Sequence, residues 1–234
     1  MQVYQKLSEV IGLQFKDLSL INLAFIHRSY LNEAKDKIPS NERLEFLGDS
    51  ILSFLTSEYL YRNYPKLPEG DLTNLRSSVV KTSTLAKLAK QLDLGLYLKL
   101  SHGEEEGGGR QNTSILADTF EAFLGAVYLD GGLEPVITIL EKSLFPLIPV
   151  IYKDKSYKDA KSSFQELVQE QIKMSPVYRV LEEKGPDHAK EFTVGVFVGE
   201  TKWGSGLGKN KQEAEQKAAT DALVKWKKKP YNTG

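Results

Sequence analysis

Two apolar helical stretches, each carrying its own set of acids, constrain this chain more than any other feature. The first is NERLEFLGDS at residues 41–50. It sets Glu42, Glu45 and Asp49 three and four residues apart, which places three carboxylates on one helical face. Leu44, Phe46, Leu47, Ile51 and Leu52 around them are apolar. The second is SILADTFEAFLGAVYLDGG at residues 114–132. There Asp118 and Glu121 stand at i, i+3 among Ile115, Leu116, Phe120, Phe123, Leu124, Val127 and Tyr128. Carboxylates held together beside a core repel one another and lose hydration, a cost that a cation among them removes. One such face alone reads as a solvated acidic surface. Two faces packed together bring Glu45, Asp49, Asp118 and Glu121 to one place. A hard divalent cation such as Mg²⁺ suits an all-oxygen site of this kind.

Around these stretches, residues 1–150 read as mainly α. Helical periodicity recurs in 2–11, 17–30, 41–63, 71–92, 112–129 and 133–150, with breaks at proline or glycine. Pro65 and Pro68 end the third segment, and Asp71 reads as an N-cap for the next. Residues 151–158 (IYKDKSYK) are polar and basic and read as a linker. Residues 159–229 change rhythm. A helix over DAKSSFQELVQEQIK is followed by strands over VYRVLEEKG, EFTVGVFVG and TKWGSGLG, then by a helix over KNKQEAEQKAATDALVKWKKK. The order is α-β-β-β-α, an α+β unit. Phe192, Val194, Val196 and Val198 alternate onto one sheet face, and Ala214, Ala218, Ala219, Ala222 and Leu223 supply the helical face that covers it.

Charge divides the chain in the same way. The formal net charge is zero, yet residues 1–152 hold 15 Lys/Arg against 19 Asp/Glu, while residues 153–234 hold 16 against 12. An acidic half that gains metal and a basic half that meets phosphate cancel on paper. The chain has no cysteine, which excludes disulfides, thiolate metal sites and thiol catalysis and fits an intracellular, cytoplasmic protein. MQVYQKLSEV lacks the apolar core of a signal peptide. The longest apolar stretch, near 136–151, is broken by Glu141, Lys142 and two prolines, so no membrane span is expected.

Four segments of the first half, HRSY (27–30), NERLEFLGDS (41–50), EGDLTNLRSSVV (69–80) and GGRQNTSILADTFEAFLGAVYLDGG (108–132), resemble the nuclease domain of the ribonuclease III family. The second half resembles a double-stranded-RNA-binding domain through DAKSSFQELVQ, PVYRVLEEKGPDH, FTVGVFV and GSGLGKNKQEAEQKAA. The resemblance implies an endonuclease domain over 1–150 and an RNA-binding domain over 159–229. It implies that Glu45, Asp49, Asp118 and Glu121 hold metal, with Asp49 and Glu121 closest to the chemistry. It also places Glu42 and Glu69 near the site and Phe46 at a homodimer contact. The implied reaction is two-metal hydrolysis of duplex RNA with Mg²⁺, or Mn²⁺ in its place, leaving 5′-phosphate and 3′-hydroxyl ends. Structured precursors such as rRNA are the implied substrates. The other reading is a non-catalytic scaffold on a dead nuclease fold, which would have lost at least one of the four acids.

In the second half, Gln165 and Glu166 are candidates for contacts with 2′-hydroxyls across the shallow minor groove of A-form RNA, and His188 for an adjacent groove. Lys209, Asn210, Lys211 and Gln212 sit at a predicted helix N-terminus, where free N–H groups favour phosphate. The family usually has Ser-Lys-Lys where this chain has Asn210, Lys211 and Gln212, so one cation is missing; Ile26 stands where Thr is frequent. The run Lys227–Lys229 reads as solvated. GEEEGGGR lacks the Gly-Lys-Ser/Thr ending of a phosphate loop, so no nucleotide triphosphate is expected; it reads as a flexible connector that brings Arg110 near substrate. His27, one of three histidines, reads as structural or as a substrate contact rather than as the catalyst.

Overall fold

The computed structural model describes residues 4–154, 157, 160–186 and 190–226, with the backbone continuing to 228. The chain divides into two compact units, Met1–Tyr157 and Lys158–Gly234.

The first unit is helical: α1 (Gln5–Ile11), α2 (Leu18–Ala24), α3 (Glu42–Asn63), α4 (Glu69–Val79), α5 (Thr82–Gln91), α6 (His102–Glu106), α7 (Thr113–Gly131), α8 (Leu133–Ser143) and α9 (Ile148–Lys153). Its centre is α7. Ile115, Leu116, Ala117, Thr119, Phe120 and the run Ala122–Val127 are all buried, so this helix is enclosed on most sides. Asn112 starts it, its Oδ1 accepting from Ser114 N–H at 2.9 Å and Ile115 N–H at 3.3 Å. α2, α3 and α5 pack against it.

The α3–α7 crossing is the closest of these contacts and depends on two glycines. A Cβ at Gly48 would run into the carbonyl oxygen of Glu121, and one at Gly125 into that of Leu44. Backbone meets backbone here, so glycine is required by space. Asn41 fixes the entry to α3: it is buried, its Nδ2 donates to Ala24 O at 3.1 Å, and its N–H donates to Ile26 O at 2.8 Å.

Several elements depart from the periodicity in the sequence. The segment 71–92 is two helices, parted at Lys81, whose extended ψ of 149° breaks the hydrogen-bond ladder. Pro68, not Asp71, holds the N-cap position of α4, because proline preorganises the start without needing a donor. The segment 17–30 leaves the helix after Ala24, forms a parallel bridge from Ile26 to Lys99, and re-forms as a 3-10 turn over Arg28–Asn32. Leu133–Lys153 is long and apolar enough to cross a membrane by length and composition. It is broken by a 3-10 turn over Phe145–Leu147, and Val136, Ile139, Leu140, Leu144 and Ile148 are buried in the core. Of the stretch 151–158, residues 155, 156 and 158 lie outside the described residues; Tyr157 is buried in the first core and stacks on Tyr152 at 5.9 Å.

The second unit is α10 (Ala160–Ile172), β1 (Val177–Lys184), β2 (Glu191–Val198), β3 (Thr201–Gly208) and α11 (Lys211–Lys228). The sheet is antiparallel in the order β1-β2-β3. Val194, Val196 and Val198 meet Phe164, Val168, Ala214, Ala218, Ala219, Ala222 and Trp226 in one core. Leu223 and Phe192 pack at its margin. β3 has glycine at every second position for a reason. A Cβ at Gly204 or Gly206 would strike the backbone of α11 at Ala218 or Ala214, so alanines at i, i+4 settle directly on the strand.

Candidate functional site

The crossing at Gly48 and Gly125 sets the acids. Glu45 lies one turn before Gly48 on α3; Glu121 lies one turn and Asp118 two turns before Gly125 on α7. Carboxylate oxygens of Glu45, Asp118 and Glu121 come within 4.8 Å of one another, and all three residues are half-buried. Among the described residues, the charges that act on Glu121 are like charges. Burial first, then Asp49, Asp118 and Glu45, pushes its carboxyl up to about 8. Glu45 is raised by burial and then by Asp118, Glu42 and Asp49. Asp118 is raised by burial, against which the His27 imidazole acts. Oxygen-only donors that repel one another fit a hard divalent cation.

The remaining candidates fall into two groups. Asp49 is exposed, one turn beyond Glu45, outside the tight trio yet near enough to act on both glutamates. Glu42 is exposed at the start of α3; Ser40 Oγ donates to it at 2.7 Å, and Arg28 lies 3.6 Å away. Glu69 is placed elsewhere. It borders a cleft of about 200 Å³ with Ser57, Tyr61 and Arg76, and accepts from Thr73 Oγ1 at 2.9 Å. Ser57 is twelve residues beyond Glu45, about 18 Å along α3. Phe46 projects to solvent at 76% exposure.

Arg110 is taken up by contacts within the protein. Nε donates to Glu105 at 2.7 Å, and Nη1 donates to the carbonyls of Gly95 and Leu98 at 3.0 and 2.8 Å. It locks the turn over Gly109–Gln111, and the glycine-rich segment is ordered by α6 rather than a loose connector. A short helix flanked by glycines has too few periodic positions to show in sequence. Asn41 and Gly48 were also missed as site-builders. Gly48 had a signal: glycine inside an apolar helix costs about 1 kcal/mol and needs a spatial reason.

In the second unit, Gln165 and Glu166 are exposed on α10, beside buried Phe164. Lys209, Asn210, Lys211 and Gln212 are exposed at the start of α11. Asn210 Oδ1 accepts from Glu213 N–H at 2.8 Å, and Glu213 accepts from Lys209 N–H at 2.9 Å, a reciprocal capping box. The cap therefore survives without serine. Lys211 Nζ lies 5.7 Å from the Phe192 ring centroid. Further along, Lys217 and Lys225 pair with Glu213 and Asp221 at 2.7 and 2.6 Å. His188 lies outside the described residues, as does Lys229, and the side chains of Lys227 and Lys228 are not described.

A helical unit with a carboxylate cluster, followed by an α-β-β-β-α unit with exposed lysines at a capped helix start, defines the class: a metal-dependent nuclease fused to a duplex-RNA reader. The comparisons agree. A ribonuclease-III-like family model matches residues 17–148, and a double-stranded RNA binding motif matches residues 160–225. Ribonuclease 3 of Oceanobacillus iheyensis is 45% identical over 218 residues, 93% of this chain and 95% of the relative. Ribonuclease 3 of Pelotomaculum thermopropionicum is 46% identical over 216 residues, 92% of this chain and 90% of the relative. A solved nuclease domain of ribonuclease III from Campylobacter jejuni, described for flexibility in a region involved in dimer formation, is 39% identical with a TM-score of 0.57. That match covers 61% of this chain and 99% of the solved one. The chain belongs to the ribonuclease III family. Its activity is that of the family, endonucleolytic cleavage of double-stranded RNA.

Proposed function

We propose that the acid cluster at the α3–α7 crossing is the cleavage site, and that it works with Mg²⁺, or Mn²⁺ in its place. The observation that carries this reading is the trio Glu45, Asp118 and Glu121, with ligand atoms within 4.8 Å. Glu121 is driven to about 8 by burial and like charges. Glu45, Asp118 and Glu121 would hold the cation, with exposed Asp49 one turn away as a further carboxylate for the site. Glu121 would have to give up its proton to serve as a ligand. Bound there, Mg²⁺ supplies Lewis-acid charge at the scissile phosphate and lowers the pKa of water, the chemistry that leaves 5′-phosphate and 3′-hydroxyl ends. Glu42 adds negative potential at the entrance, anchored by Ser40 and Arg28.

The second unit holds the duplex by shape through Gln165, Glu166, His188 and the Lys209–Gln212 helix start. The enzyme acts as a homodimer through the Phe46 side of α3. Phe46, Phe54 and Tyr61 are 76%, 57% and 76% exposed and share one helical face. Two sites related by a two-fold axis suit two antiparallel strands. The substrates in this reading are structured precursors such as rRNA, in the cytoplasm.

The test is incubation of the purified protein with a long RNA duplex, with Mg²⁺ and with excess EDTA. Cleavage is expected in Mg²⁺ and none in EDTA, with little action on single-stranded RNA or duplex DNA. Equal cleavage in EDTA would remove the metal reading.

A further inference from the structure

The main chain around His27 is fixed from three directions. His27 N–H donates to Lys99 O at 3.1 Å, Lys99 N–H to Phe25 O at 2.8 Å, and Asn41 N–H to Ile26 O at 2.8 Å. The last of these ties the segment to the start of α3, one turn before Glu45. The two ring nitrogens have different surroundings. Nδ1 turns back onto the Arg28–Asn32 turn, where Ser29 N–H donates to it at 3.3 Å and Ser29 Oγ lies 2.9 Å away. Ser29 Oγ in turn accepts from Ser101 N–H at 3.0 Å. Backbone N–H groups can only donate, so Nδ1 is an unprotonated acceptor and the Ser29 hydroxyl is free to direct its own proton to it. The ring proton therefore sits on Nε2. Among the described residues no protein group takes that proton in a hydrogen bond. The half-buried ring lies near enough to Asp118 to oppose the upward push that burial exerts on that carboxyl.

We propose that His27 is a catalytic residue of the electrostatic kind: a fixed Nε2–H donor to a non-bridging oxygen of the phosphate being cut. The inference rests on the acid cluster being the cleavage site. Beside such a site, the acceptor that a substrate brings is an anionic phosphate oxygen. An N–H donor suits this place, since it stabilises charge on the phosphate without taking a ligand from the cation. His27 moves no proton in this role; it differs from a histidine that deprotonates a 2′-hydroxyl.

His27 also caps a turn, and the test must separate the two duties. His27→Asn keeps a side-chain oxygen to accept from Ser29 N–H, as asparagine does at caps, and removes the Nε2–H. The readouts are single-turnover cleavage of an RNA duplex, Mn²⁺ affinity by calorimetry, and the unfolding midpoint. The expected result is Mn²⁺ affinity and midpoint close to wild type, with cleavage slowed about 100-fold at saturating RNA. Wild-type cleavage by His27→Asn would leave only the cap and overturn the proposal. Loss of Mn²⁺ affinity in step with cleavage would also overturn it, because His27 would then act through Asp118. If the variant is destabilised, the wild-type protein still decides the matter. With a phosphorothioate at the scissile position, one diastereomer should slow cleavage without rescue by Mn²⁺, because that oxygen meets N–H. Rescue of both diastereomers would refute the contact. Glu121→Gln is run alongside: if that variant cleaves normally, the site assignment itself has failed, not the role of His27 alone.

Discussion

At Glu121, burial and three like charges act together, so in the absence of a cation its carboxyl keeps a proton up to about pH 8. The sign follows directly. A carboxyl raised above its ordinary 4.5 favours the metal-free fold fully below about pH 4.5, and that contribution is lost as the pH rises through about 8. A cation must displace the proton, so its affinity rises over the same window. Calorimetric Mn²⁺ affinity should therefore increase from pH 6.5 to 8, by up to about tenfold per unit for one released proton, and level off above it. A flat profile would remove Glu121 from the cation's ligands. Glu121→Gln should keep the fold and RNA affinity and lose most cleavage, since a neutral amide is a poor ligand for Mg²⁺. At the other end of the chain, Lys211→Ala should weaken binding to all duplex sequences alike and reduce the salt dependence by about one phosphate contact. Titration of affinity against salt checks this; a loss confined to some sequences would contradict it. The acids were legible in the sequence because charge inside an apolar period is costly and conspicuous. The state of His27 was not, because its tautomer is set by Ser29 and by Ser101, a residue distant in sequence.

Between elements, the α3–α7 crossing converts two separate acid pairs into one site. Gly48→Ala places a methyl group against the Glu121 carbonyl, on the same turn as a proposed ligand. The helices must part or tilt. The expected loss is about 1–3 kcal/mol or more, read as a lower unfolding midpoint, together with weaker Mn²⁺ binding. Unchanged stability and affinity would mean that the crossing tolerates the methyl group. Helix identity was readable from periodicity, whereas helix ends were less so. The break at Lys81 and the short α6 follow from how neighbouring helices turn corners, which no local period encodes. In the second unit, the alternating glycines of β3 and the alanines of α11 are complementary in the sequence itself, and that packing was the more legible of the two.

For the molecule as a whole, two units with separate cores support separable duties. Tyr157 belongs to the first core, so a truncation should end after it. The fragment 1–157 should fold and retain Mn²⁺ binding while its affinity for duplex RNA falls; failure to fold would show that the units depend on one another. The dimer adds a further expectation. A purified heterodimer of wild type and Glu121→Gln, assayed on end-labelled duplex without subunit exchange, should nick one strand and rarely break both. Paired cuts at the wild-type level would show that one site processes both strands. The central claim, that the carboxylates at the glycine crossing are the metal centre, is tested most directly by anomalous diffraction from crystals soaked in Mn²⁺. The account predicts anomalous density among Glu45, Asp118 and Glu121 in the wild type and its loss in Glu121→Gln. Density at another site, with these carboxylates empty in crystals of an enzyme that cleaves RNA in Mn²⁺, would contradict it.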